Sequence, residues 1–367
     1  MAGQPSRERD TTSSSDSMRR QGPATALSDQ RSLTTMALMY MTIHRRPIPV
    51  RVLLLLASLF GAAACRMSGT SVHSAPLPAG AQAISFLGDT LRAFPLSPAT
   101  RERYERQLAD ARASYERAPT NADSIIWLGR RLAYLGRIRE SIDVYTRGIA
   151  LHPRNAWLLR HRGHRYVSVR ELDRAIADLE RATQLVSGTS DEIEPDGQPN
   201  AANQPIGTLH SNIAYHLGLA YYLKGEFARA VPVYRREMSD ARNDDRLVST
   251  AHWLYMSLRR LGRNDEAAAV LVPFRRLMNV VENDTYQHLL LMYKGDFAPD
   301  SVLAMTPSGE MSVTDATAAY GMGNWHLYNG RRADAERIFR RILAGGQWGA
   351  FGYIAAEREL AWWRDAR

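Results

Sequence analysis

Ala122-Asp-Ser-Ile-Ile-Trp-Leu-Gly-Arg-Arg-Leu132 and Ala156-Trp-Leu-Leu-Arg-His-Arg-Gly-His-Arg-Tyr166 lie 34 positions apart, and stacking them puts Gly129 on Gly163 and Leu132 on Tyr166. The register holds further on. Ser141, Tyr145, Gly148 and Pro153 close the first unit, while Ala175, Leu179 and Ala182 close the second without the proline. Small residues at fixed places let two antiparallel helices approach closely, and the large residues between them fill the remaining gaps. One such pair cannot bury its apolar face alone. Several units must therefore stack, with atypical units at the ends.

The same signposts recur downstream. Ser211-Asn-Ile-Ala-Tyr-His-Leu-Gly-Leu-Ala-Tyr221 reads as a first helix, and Ala228 to Tyr234, after a turn at Gly225, as its partner. The stretch from Val248 to Phe274 keeps Gly262, Ala267 and Leu271 but has Tyr255 where the small residue belongs. From Ala316 to Leu343 the chain restores Gly323, Gly330, Ala335 and Phe339, and Phe351 to Trp362 reads as a lone final helix whose charges suit a solvent-facing cap. Thr100 to Arg117, with Leu108, Ala111 and Tyr115 at helical spacing, reads as an unpaired helix at the front.

The pattern resembles the tetratricopeptide repeat (TPR) family, whose 34-residue unit carries a large residue, Leu-Gly, an aromatic, Ala, a second aromatic and a late Pro. The resemblance implies an all-α, right-handed α-solenoid of antiparallel helix pairs with a C-terminal capping helix and an open groove. Two stretches leave the period. Residues 186–207 are rich in Gly, Pro, Asn and acids and read as a long loop; Glu282 to Met305 reads as a degraded helix pair containing Thr285 to Tyr293 and a short Asp300 to Leu303. The units thus fall into residues 99–185 and 208–366.

Ahead of the array, His44-Arg45-Arg46 precedes Val52 to Ala64, a run of 13 mostly apolar residues, and then Cys65. That run is too short for a permanent membrane helix and fits the apolar region of an export signal, here residues 41–64. Ala62-Ala63-Ala64-Cys65 resembles the bacterial lipobox, with Ala62 where Leu is usual. The resemblance implies cleavage before Cys65, lipidation of its thiol, and, with Arg66 next rather than Asp, the outer membrane facing the periplasm. Two or more acyl chains make such an anchor stable. Cys65 is the only cysteine, so an intrachain disulfide and a cysteine-based zinc cluster are excluded. Residues 65–98 are read as anchor and linker, with a flexible tether over Met67 to Gly80. Residues 1–40, rich in Ser, Thr, Arg, Gln and Asp, read as disordered or as a start placed too early, Met41 giving a signal of ordinary length. If start and lipobox are misread, the alternative is a cytoplasmic TPR scaffold.

The net charge of +9 invites a nucleic-acid reading. Residues 1–64 hold eight Arg against four acids, which leaves about +5 for the exported part, and Lys224 and Lys294 are the only lysines. Arg alternates with Glu and Asp along the helices, the pattern of a solvated face rather than a nucleic-acid surface.

By the resemblance, five positions of each first helix line the groove. Here they supply Arg130 and Tyr134; Trp157, Arg160 and His164; Asn212, Tyr215 and Tyr222; His252, Met256 and Arg259; Tyr320, Asn324 and Tyr328. Aromatics, Arg and Asn are the composition of a surface that holds protein or peptide partners. Arg130, Arg160 and His164 offer donors to a carboxylate or phosphate without reproducing the Lys/Asn/Arg clamp of some chaperone-binding members of the family. His161 and His164 stand one turn apart, a spacing that can begin a metal site, and define a metal-dependent hydrolase as the alternative from another class. No His-Glu-x-x-His, phosphate loop, dinucleotide fingerprint or Gly-x-Ser-x-Gly is present. A non-enzymatic adaptor without cofactor or metal is the expectation.

Overall fold

The computed structural model describes residues 76–299 and 312–366, all within one compact unit, His73–Arg367. The signal segment, Cys65, most of the tether and Asp300 to Leu303 lie outside the described residues.

A helix of 20 residues, α1 (Pro98–Arg117), opens the array; the Ser97 side chain caps it by accepting from the Thr100 N–H, and Pro98 begins it without losing a hydrogen bond. The first pair is α2 (Ala122–Tyr134) with α3 (Ile138–Leu151), the second α4 (Ala156–Ser168) with α5 (Leu172–Val186). Asn121 and Asn155, one repeat apart, cap α2 and α4 in the same way. Then come α6 (Leu209–Lys224) with α7 (Phe227–Asp240), and α8 (Asp244–Arg260) with the short α9 (Asn264–Leu271). The last are α10 (Asp284–Lys294), α11 (Val313–Tyr328) with α12 (Arg332–Ala344), and α13 (Phe351–Asp365). Among the described residues no helix is long and apolar enough to cross a membrane.

The repeated Gly has a direct steric cause. In α6, a methyl group on Gly218 would stand 2.5 Å from the ring of Tyr234 in α7, and in α4 one on Gly163 would stand 2.7 Å from Leu179 in α5. Gly129 with Tyr145 and Gly323 with Phe339 repeat the relation, always 16 residues apart. Each pair is thus closed by one side chain lying across a bare patch of backbone. The α8–α9 pair breaks this rule because Tyr255 replaces Gly. Its buried ring stacks on Tyr293 of α10, centroids 4.6 Å apart, so α10 takes up surface that the shortened α9 does not cover.

Two expectations change. Residues 65–98 were read as anchor and linker, yet they contain an antiparallel hairpin, β1 (Ala81–Ile84) with β2 (Thr90–Arg92). It is docked: the Trp348 indole donates to the Arg92 carbonyl (2.6 Å), and Arg139 of α3 donates to the Gln82 carbonyl (2.6 Å). Nor do the glutamates of α13 face solvent. Glu357 and Glu359 are buried, paired with Arg170 and Arg260. The helix crosses the side of the stack formed by the first helices. Phe351 lies 5.4 Å from His164 and 5.6 Å from His216 between ring centroids, and Gly352 passes so close to Ala316 that a methyl group would strike the Ala316 carbonyl.

Candidate functional site

The side expected to be an open groove is covered by the chain itself. The loop between α5 and α6 folds back over α2, α4 and α6. Arg130 donates to the Pro195 carbonyl (2.8 Å), Arg131 to that of Gly197 (2.9 Å), Arg160 pairs with Glu194 (3.1 Å), and the Asn212 amide donates to the same carboxylate (2.9 Å). Beyond the loop, α10 and α13 occupy the remainder. Tyr215 bonds Tyr286 (2.8 Å) and accepts from the Trp253 indole (2.9 Å); Tyr222 bonds Tyr320 (2.7 Å) and accepts from Asn324 (2.8 Å).

These positions correct the open-groove expectation. Arg160, Tyr215, Tyr222, His252, Met256, Tyr320 and Asn324 are buried. Arg130, Trp157, Asn212, Arg259 and Tyr328 are half-buried; Trp157 packs beside Leu159 and Ile213, and Arg259 lies over the Tyr328 ring at 4.3 Å. The physical reason is that rings and amides of this size need partners when covered, and the long loop, α10 and the neighbouring first helices supply them. Tyr134 and His164 keep access to open space.

They line a cleft of about 260 Å³ with Arg165, Ser168, Phe94, Tyr104, Gln198 and Trp348. Distant parts of the chain meet there: α1 to α4, the extended segment that follows the hairpin, the long loop, the start of α11 and the turn into α13. Arg165 stands at none of the five groove positions. The repeat pattern gave no signal for it, and Phe94, Gln198 and Trp348 arrive from stretches that carry no repeat at all.

The cleft lies in a positive field. Burial, the largest effect, pulls Arg165 down to about 10, with Arg160 and Arg130 close enough to repel it. Burial also holds His161, His164 and His216 well below the usual imidazole range, and the surrounding guanidinium groups push in the same direction. For His161 the carboxylate of Glu194, 3.8 Å away, does not offset burial and Arg160. The Arg160 guanidinium donates to His161 Nδ1 (3.0 Å), and the His164 ring packs on His216 with centroids 4.2 Å apart. Among the described residues no three His, Cys, Asp or Glu side chains are placed to hold a metal ion, so the hydrolase alternative gains no support.

The stacked helix pairs, four of them closed by a glycine against a large side chain, give the described residues the fold of an α-solenoid of the tetratricopeptide type. No family model and no curated protein matches it. Among solved structures it is similar to YrrB, described as a TPR protein with an unusual peptide-binding site, at 16% identity over 70% of this chain and 98% of that one, TM-score 0.37. It is similar also to MamA of AMB-1, at 20% identity over 48% and 90% of the two chains, TM-score 0.36. A tetratricopeptide repeat protein from Parabacteroides merdae ATCC 43184 shares 15% identity over 71% and 99%, TM-score 0.40. The fold assignment rests on the contacts within this chain.

Proposed function

We propose that the chain is a non-enzymatic scaffold that holds partner proteins or peptides in the cell envelope, tethered by lipid on Cys65 to the outer membrane and facing the periplasm. The observation that carries the binding reading is the cleft itself. Elsewhere on the inner side the loop, α10 and α13 pack against the first helices, while at the cleft aromatic walls, two glutamines and a guanidinium meet open space. The outward faces instead carry short-range ion pairs such as Arg137 with Glu140 and Arg340 with Glu336, a solvated surface of low binding value. Tethering is supported by the basic segment, the apolar run and the small residues before the only cysteine.

Photo-cross-linkers at Gln198 and Gln347, on the cleft, should capture discrete proteins from living cells, and one at outward Arg236 should not. Equal capture at all three places removes the cleft from the scaffold reading. Labelled palmitate should enter the wild-type chain and be lost in Cys65→Ser. Unchanged labelling, or a protein that stays in the soluble fraction, removes the anchor and returns the chain to the cytoplasmic alternative.

A further inference from the structure

We propose that the cleft beside Arg165 binds a ligand bearing a single carboxylate on a small apolar or aromatic body. The inference deepens the scaffold reading, resting on the same cleft and naming the chemistry of what it takes.

Three observations lead there. First, the neighbouring cations are already spent: Arg160 on Glu194, and Arg130 on the Pro195 carbonyl. The Arg165 guanidinium makes no hydrogen bond or ion pair with another described residue, although it lies half-buried at the cleft wall. A guanidinium drawn out of bulk water without an acid is costly, and an incoming anion relieves that cost. Second, among the described residues no Asp or Glu lines the cleft, so none of them repels an anion there. Third, Phe94, Tyr134 and Trp348 supply flat apolar walls.

Charge and size narrow the ligand class. One unspent cation matches a singly charged group better than a phosphate dianion, and the planar fork of Arg fits both oxygens of a carboxylate. A volume of about 260 Å³ lies at or below the lower end for ligand pockets and admits only a small body. Ser168 and Gln198 add neutral donors at the wall. The fall in the Arg165 pKa under burial is consistent with a site tuned to be completed from outside.

The carboxylate has two possible sources, a free organic acid or the end of a peptide chain, and titration of the full-length protein separates them. Benzoate and N-acetylphenylalanine represent the first, a decapeptide ending in phenylalanine the second, and the matching amides are the controls. At least one acid should bind ten-fold or more tightly than its amide and raise the thermal midpoint. Arg165→Gln should abolish that preference, and Arg165→Lys should keep part of it. Binding of the free acids alone assigns the site to a small molecule; binding of the decapeptide as well assigns it to a chain end. Acids no tighter than amides in the wild type, or a preference that survives in Arg165→Gln, overturns the proposal. Cross-linking from Gln198 would be unaffected by that failure, so the scaffold reading is judged separately.

Discussion

Arg170 and Glu357, 187 positions apart, meet at 2.6 Å between Nη2 and Oε2, with 3% and 1% of their side chains left to solvent. Arg170 sits in the turn between α4 and α5, where the other pairs place Gly136, Gly225, Gly262 and Gly330, and like them it has a positive φ, 66°. Such a backbone disfavours a long side chain. The strain is held by what the guanidinium does: it donates to the Ser168 carbonyl (2.5 Å) and pins α13, while Glu357 also accepts from the Phe86 N–H (2.5 Å) of the hairpin. One buried pair ties a turn, the last helix and the first hairpin together.

Breaking that pair from the acid side leaves a buried guanidinium uncompensated. Glu357→Gln should lower unfolding stability by about 3–5 kcal/mol in urea titration. Arg170→Gly relieves the backbone but strands Glu357, so it should also destabilise, and the double variant should lose clearly less than the sum. Strict additivity would show that the two side chains do not act as a unit.

Gly218→Ala should cost about 1–3 kcal/mol because its methyl group meets the Tyr234 ring. In the Gly218→Ala, Tyr234→Ala double variant the methyl group has no ring to meet, so part of the loss should be recovered and the total cost should be less than the sum of the two single changes. No recovery would mean that the glycine serves something other than helix approach.

Gly352→Ala tests α13 separately from the repeats. The added methyl would collide with the backbone of Ala316 in α11, which cannot swing aside as a side chain can. The expected result is release of α13 with the helix pairs intact: faster amide exchange and proteolysis within residues 351–365, and near-native helical circular dichroism. Protection of α13 equal to wild type would sink this account of its docking.

Acidification should weaken the fold. Burial lowers His252 to about 3, so between that value and the ordinary 6.5 the unfolded chain binds a proton that the native state refuses. Stability therefore falls as pH drops below about 6.5; at pH 5 this group alone contributes a loss of about 2 kcal/mol. His161, His164 and His216 shift in the same direction, and Glu359, whose carboxyl burial raises, works in the opposite sense. Urea midpoints at pH 7.5 and 5.0 check the net sign, and His252→Gln should flatten the difference. Equal midpoints in the wild type would contradict the burial of these imidazoles.

The helix pairs were legible because their cause is local in sequence: Gly129, Gly163, Gly218 and Gly323 each need a partner 16 residues on, and that relation survives as a written period. Even the exception at Tyr255 was visible, although the reason for it, the ring of Tyr293, was not. The cover over most of the groove positions was not legible, for a different cause. Repeat positions state which way a side chain leaves its helix, and they are silent about what arrives to cover it. Tyr222 and Asn324 point inward as the pattern says, and there they find Tyr320 and each other rather than a partner protein.

The sequence by itself determined the helices, their pairing, their turns and the long loop, since each follows from apolar period, caps and glycine spacing within some 34 residues. It also held the only indications for export and lipidation. Only the tertiary structure decided that the loop and α13 close over the inner side, that Arg170 trades a strained turn for Glu357, and that Arg165 is left facing a small cleft without an acid. Those outcomes depend on which distant segments can bury surface and satisfy charge against each other. Such long-range pairing leaves no period in the chain to be read.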